Sequence, residues 1–308
     1  MPQPTITVPI DRERVAVRAF LRWVDQGEPR PGDPAADWFW AENRGTVEYL
    51  GGLLGPQAVA ILVVPFDDDG LPIVEQIEGA SGVLVDTGKA HLLFTAEHVI
   101  AYFAQQLRDN PQRQTRLLLL GTDGSTPVDI SSWPVRDRHR AIDFAVIAVP
   151  QSFDPVAIGR RFYGGIGWSH RRARRDETAV VVGFPGIHRR IEMRQLPGRT
   201  VISVRSGLAT VFDFVSSVSD RHFVMADESG FRQQIEAPFP LQAFGPQGGM
   251  SGGPAFVREG DQFVLMGCRY EGSRIAMDDE EGHRATAYIA HCDFVQEDGT
   301  LDHGRIVF

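Results

Sequence analysis

From Ala58 onward the chain is a succession of short apolar or β-branched runs. AVAILVVPF, SGVLVD, HLLFTA, RLLLL, DFAVIAV, AVVVGF, TVISVRSG, ATVFDFV, HFVMAD, QFVLMG and ATAYIAH follow one another, each bounded by Gly, Pro, Asp or Asn. Runs of this length suit strands and are too short for most helices. Thirty-two glycines and 20 prolines supply the punctuation between them. Helical stretches of 10–15 residues do not alternate with the runs, so a parallel βαβ sheet is excluded and an antiparallel sandwich or barrel is expected. The main interruption is HVIAYFAQQLRDN, His98 to Asn110, which reads as a helical turn or two.

The first 45 residues have a different texture. Asp11 to Gly27 places Val17, Phe20, Leu21 and Val24 at helical spacing, with Asp11 to cap and Gly27 to stop. Residues 1–45 therefore form an N-terminal helical extension with a Pro-rich linker, Glu28 to Asp37, followed by Trp38, Phe39 and Trp40 as an anchor onto the main body. The extension is either a packing arm or an autoinhibitory or partner-binding element. The main unit spans 46–308, with an internal boundary near 155–178. A net charge of −9 argues against a nucleic-acid partner, because phosphate contacts need a basic face. No apolar stretch reaches membrane-spanning length and no secretory signal is visible, so a cytoplasmic, membrane-free setting is expected. Two cysteines, Cys268 and Cys292, make no disulfide framework. His291, Cys292 and Asp293 lack a second ligand pair at zinc-like spacing, so no metal is expected.

One stretch, GPQGGMSGGPAF from Gly245 to Phe256, crowds backbone freedom around Ser251. Glycine is costly to order, so such a run marks a tight turn or a close backbone approach. Nucleophilic acyl transfer by a serine needs a base, an acid to orient it, and donors for the developing oxyanion. His98, at the end of the LLFTA run, can be held rigidly yet face a cleft. Asp143 opens an apolar run, where a carboxylate needs a partner. The backbone N–H groups of Gly249 and Ser251 can point into one concavity and make an oxyanion hole.

TAEHV, DFAVI and GMSGGP, in that order, resemble the three signature segments of the trypsin-like, chymotrypsin-fold serine proteases. SGVLVD, GFP (Gly183 to Pro185) and SGLATV (Ser206 to Val211) resemble segments of the bacterial HtrA-like branch. The resemblance covers roughly Ala58 to the C-terminus. It implies two six-stranded antiparallel β-barrels and a serine endopeptidase that needs no cofactor. His98 would be general base and then general acid, Asp143 would orient it, Ser251 would be the nucleophile, and Gly249 and Ser251 would form the oxyanion hole. Met250 stands where secreted trypsins carry an aspartate, so maturation by insertion of a new N-terminus is not expected. VLMGCRYEGS resembles the strand that pairs with substrate and walls the specificity pocket. That placement makes Tyr270 the aromatic position, Gly272 the pocket rim and Gly245 the pocket base. It puts Arg269 beside Asp143, where the guanidinium either pairs with the carboxylate or points to solvent. No acid lies near Gly245, which leans the preference away from basic and toward small or apolar substrate residues. The 57 residues after Ser251 (308 − 251) are expected to complete a second barrel and to leave no room for an appended peptide-binding domain.

Other charged residues read as surface. Glu97 should face away from His98, and the basic clusters in SHRRARRDE and IHRR read as solvated loops or as a site for an anionic partner. The expected partner is a protein or peptide substrate, with a regulatory protein acting through the N-terminal extension as a further expectation. The rival reading is a silent or latent protease-like module, released by a partner or signal.

Overall fold

A computed structural model describes residue 16 and residues 48–121, 127–164, 171–186, 189–196, 199–226, 249–260, 262–276 and 283–306. The expected N-terminal helix (all but Ala16), the Pro-rich linker, Trp38 to Trp40, and Gly245 lie outside the described residues.

Eight strands make the N-terminal sheet: β1 (Ala58–Pro65), β2 (Glu78–Asp86), β3 (His91–Thr95), β4 (Thr115–Leu120), β5 (Val128–Asp129), β6 (Val135–His139), β7 (Phe144–Ala148) and β8 (Tyr163–Gly164). Their order is β5-β4-β1-β2-β3-β7-β6, with the short β8 pairing parallel to β2. The second unit is a closed six-stranded barrel of β9 (Thr178–Gly183), β12 (Ala209–Val218), β13 (His222–Ala226), β14 (Pro254–Glu259), β15 (Gln262–Ala276) and β16 (His283–His291). Between β9 and β12 runs a separate hairpin, β10 (Arg189–Leu196) and β11 (Arg199–Ser206). This is the all-β, antiparallel architecture expected from the strand pattern, in the chymotrypsin-like form that the resemblance implied. Among the described residues the N-terminal sheet carries eight strands instead of six, and its ladder stays open between β5 and β6.

Unbroken apolar runs become strands buried on both faces. All eight residues of β1 are buried. Successive side chains on a strand point to opposite sides. Accordingly Ala60, Leu62 and Val64 join one core, while Val59, Ile61 and Val63 join another. The first core reaches across to Val180, Val182, Phe256 and Leu265 of the barrel, so it cements the two units together. The second lies beneath the helix Glu97–Asp109, the one long helix among the described residues, which seats Val99 and Ile100 in it. That helix is longer than the turn or two expected, because Ile100, Tyr102 and Phe103 all find apolar neighbours there. A third core, including Val181, Phe223, Met250, Ala255 and Ile289, fills the barrel itself.

Candidate active site

His98 and Asp143 meet because β3 and β7 are hydrogen-bonded neighbours. Thr95 pairs with Ala145, so the residues just beyond each end of that ladder come together. Past Thr95 the chain turns at Ala96 into the helix Glu97–Asp109, putting His98 in its first turn. Ala96 offers no capping side chain, which leaves first-turn N–H groups needing an outside acceptor. Asp143 fills that need: its Oδ1 accepts from the His98 backbone N–H at 2.8 Å. Its Oδ2 accepts from His98 Nδ1 at 2.6 Å. Asp143 adopts φ 49°, ψ 53°, a left-handed conformation that aspartate tolerates better than most residues. This backbone reversal between the short helical turn Arg140–Ile142 and β7 aims the carboxylate at His98. The Asp143 hydrogen bond is the main cause raising the His98 pKa above its ordinary 6.5, against the opposing effect of burial.

Ser251 arrives from the other unit. Its turn runs from Gly249 into β14, is closed by Gly253 N–H to Met250 O (2.9 Å), and is clamped onto β15 by two backbone bonds, Gly252 N–H to Arg269 O (2.6 Å) and Arg269 N–H to Gly253 O (2.8 Å). Ser81 of β2 then ties the turn to the N-terminal sheet. Its N–H donates to Ser251 O and its hydroxyl donates to Gly249 O, each at 2.8 Å. The same hydroxyl accepts from Phe184 N–H at 2.8 Å, and Ser81 O accepts from Thr95 Oγ1 at 2.8 Å. Gly252 has φ +86°, and a Cβ there would lie 2.0 Å from Ser81 O and 2.6 Å from Thr95 Oγ1. Only glycine permits this approach of the serine turn to the strand end that leads to His98. Gly249 has φ +94°. Neither its N–H nor that of Ser251 has an acceptor among the described residues. The Ser251 hydroxyl donates to Tyr270 O at 3.3 Å and makes no hydrogen bond with His98.

The model of the trypsin-like peptidase domain matches residues 80–264, more than half of the chain. The chain belongs to the trypsin-like peptidase family. It is therefore a peptidase with protein substrates, and the matched span contains His98, Asp143 and Ser251. Among solved structures, the chain is similar to the crystal structure of Deg5, with 15% identity, 75% of this chain and 86% of that one covered, and a TM-score of 0.40. A comparison with curated proteins finds no match.

The remaining site residues of this peptidase depart from expectation in instructive ways. Arg269 neither pairs with Asp143 nor points to solvent. It is 3% exposed, and its Nη1 lies 3.2 Å from Met250 Sδ. The next strand residue, Tyr270, sits at a bulge between Arg269 and Glu271 and packs its ring near His222 and Tyr288, centroids 6.1 Å away in both cases. Gly272 lies in the same strand, paired with Ala287. Glu97 is not a surface carboxylate: it is buried, and it faces Arg138 Nη1 at 3.4 Å. The basic cluster is not a free solvated loop either. Arg171 pairs with Glu177 and Glu259, while Arg172 pairs with Asp220 and Asp293. Asp293 is further held by Arg305, and His291 Nε2 bonds Ser219 O, so this cluster is built from ion pairs and backbone contacts. Ser81 is the residue that sequence reading missed. The only signal is its polar side chain inside an otherwise apolar run, and it is wholly buried.

Proposed function

We propose that this peptidase is a serine endopeptidase working through an acyl-enzyme on Ser251. The observation that carries this reading is the double hold of Asp143 on His98. Nδ1–H is committed to the carboxylate, which leaves Nε2 as the proton acceptor, at the seam where Ser81, Thr95 and Gly252 dock the Ser251 turn. In the first half-reaction Ser251 Oγ attacks the peptide carbonyl carbon and its proton passes to His98 Nε2. The carbonyl π pair moves onto oxygen, which the unpartnered N–H groups of Gly249 and Ser251 receive. Collapse breaks the C–N bond, and His98 gives its proton to the leaving amine. Water then enters the same way and releases the acid, restoring Ser251 and neutral His98.

The hydroxyl bond to Tyr270 O makes this a resting arrangement. Attack requires Oγ to leave Tyr270 O for His98 Nε2, so the second reading is a silent or latent module released by a partner or signal. Labelling of the full chain with a fluorophosphonate decides between them. Rapid labelling, lost in Ser251→Ala and in His98→Ala, is expected. Labelling that appears only after residues 1–45 are deleted would favour the latent state. Labelling unchanged in Ser251→Ala would overturn the mechanism.

A further inference from the structure

Arg269 is a buried charge with no counter-charge among the described residues. Burial lowers its pKa to about 10, which still leaves it protonated at neutral pH. A guanidinium carries five N–H donors. Here one meets a thioether sulfur, a poor acceptor, and another lies 3.5 Å from Glu271 O, at the limit of a hydrogen bond. No carboxylate among the described residues pairs with it; Glu271 contributes its backbone carbonyl, and its own side chain belongs to an exposed residue. Buried Arg160, by contrast, reaches two backbone carbonyls, those of Gly55 and Gly121, and lies over the Phe184 ring. An unpaired buried cation is a cost to folding, and sites where such a cost persists are where a ligand supplies the missing partner.

Its location says which ligand. Arg269 pairs across the ladder with Ile289, whose side chain lies in the barrel core, so the guanidinium runs along the inner face of the barrel. It ends against Met250, the residue between the two N–H groups offered to the oxyanion. Arg269 O accepts from Gly252 N–H, and the adjoining Tyr270 O accepts from the Ser251 hydroxyl. Hence the cation and the nucleophile are carried by the same few residues. A substrate whose carbonyl sits on Ser251 must place the side chain of that same residue beside this turn. Resting on the serine-peptidase reading, we infer that Arg269 selects substrates with a glutamate or aspartate at P1, the residue that supplies the attacked carbonyl. The carboxylate pairs with the guanidinium and completes its hydrogen bonds. This replaces the small or apolar preference suggested by the sequence.

The test uses the full chain and peptide anilides that differ only at P1: Glu, Asp, Gln, Leu and Arg. kcat/KM for Glu or Asp should exceed that for Gln by roughly a hundredfold, since Gln matches Glu in shape and lacks only the charge. In Arg269→Met the order should invert, with Leu above Glu. A Glu/Gln ratio near one, in wild-type protein that labels with fluorophosphonate, overturns the acidic preference and leaves the serine mechanism standing. Loss of labelling in Arg269→Met with the Glu/Gln ratio of wild type near one assigns Arg269 to holding Met250 and also overturns it. Should neither wild type nor the chain lacking residues 1–45 label, the serine reading fails, and calorimetric titration of Ser251→Ala with peptides ending in Glu or Gln judges the site alone. Tighter binding of the Glu peptide supports an anion site at Arg269, and equal binding overturns it.

Discussion

At the scale of single residues, Asp143 does two jobs with one carboxylate. It caps the helix that bears His98 and it fixes the imidazole tautomer. Asparagine can still accept from the His98 N–H and tolerates the left-handed backbone, so Asp143→Asn should fold. Its amide cannot stabilise an imidazolium, and kcat should fall by about 10⁴-fold. The raised His98 pKa sets the pH response. Catalysis needs neutral His98, so the acidic limb of kcat/KM should lie above the ordinary 6.5, and in Asp143→Asn it should move to lower pH. Stability runs the opposite way. A group whose pKa is raised by folding contributes stability that is fully present below the unfolded value and is lost as pH rises through the folded one. Chemical denaturation across pH 5 to 9 should show that trend in wild type and lose it in His98→Ala.

At the scale of elements, the serine turn is shaped by what it must touch. Its backbone bonds to β15 fix its position along the barrel, and Gly252 lets it press against Ser81 and Thr95. Gly252→Ala adds a methyl group 2.0 Å from a backbone oxygen and imposes a strained φ. A cost of at least about 1–3 kcal/mol is expected, with the turn displaced from His98. Fluorophosphonate labelling should be lost while the far-UV circular dichroism of the sheets persists. The bulge at Tyr270 is a second device of this kind, because an extra residue re-aims the side chains that follow it next to Ser251, the proposed nucleophile.

At the scale of the whole molecule, the site exists only where the two units meet. His98 and Asp143 come from the N-terminal sheet and Ser251 from the barrel turn, so their registration depends on the seam. Ser81 is the polar pin in that seam, and its hydroxyl is satisfied on both sides by barrel backbone. Ser81→Ala would leave Gly249 O and Phe184 N–H without that partner in a buried place, costing about 1–3 kcal/mol. Urea denaturation should report the loss as a lower midpoint. The labelling rate should drop further than stability alone explains, because Gly249 also carries a proposed oxyanion donor.

Much of this was legible in the sequence because it is local. Unbroken apolar runs bounded by turn residues determined the strands, and the order of TAEHV, DFAVI and GMSGGP pointed to the family before any pairing was known. The glycines around Ser251 marked a close approach without naming what is approached. Tertiary structure alone decided the rest. Strand alternation says that Arg269 and Tyr270 face opposite ways, and only the closed barrel and its bulge say which way is inside. Glu97 is adjacent to His98 in the chain, yet its burial depends on Arg138 from a distant strand. The role of Ser81 rests on partners more than a hundred residues away. Backbone preference and hydrophobic period act over a few residues and are written in the sequence directly. The pairing of buried polar groups is settled by which strands become neighbours, and that is fixed only when the chain has folded.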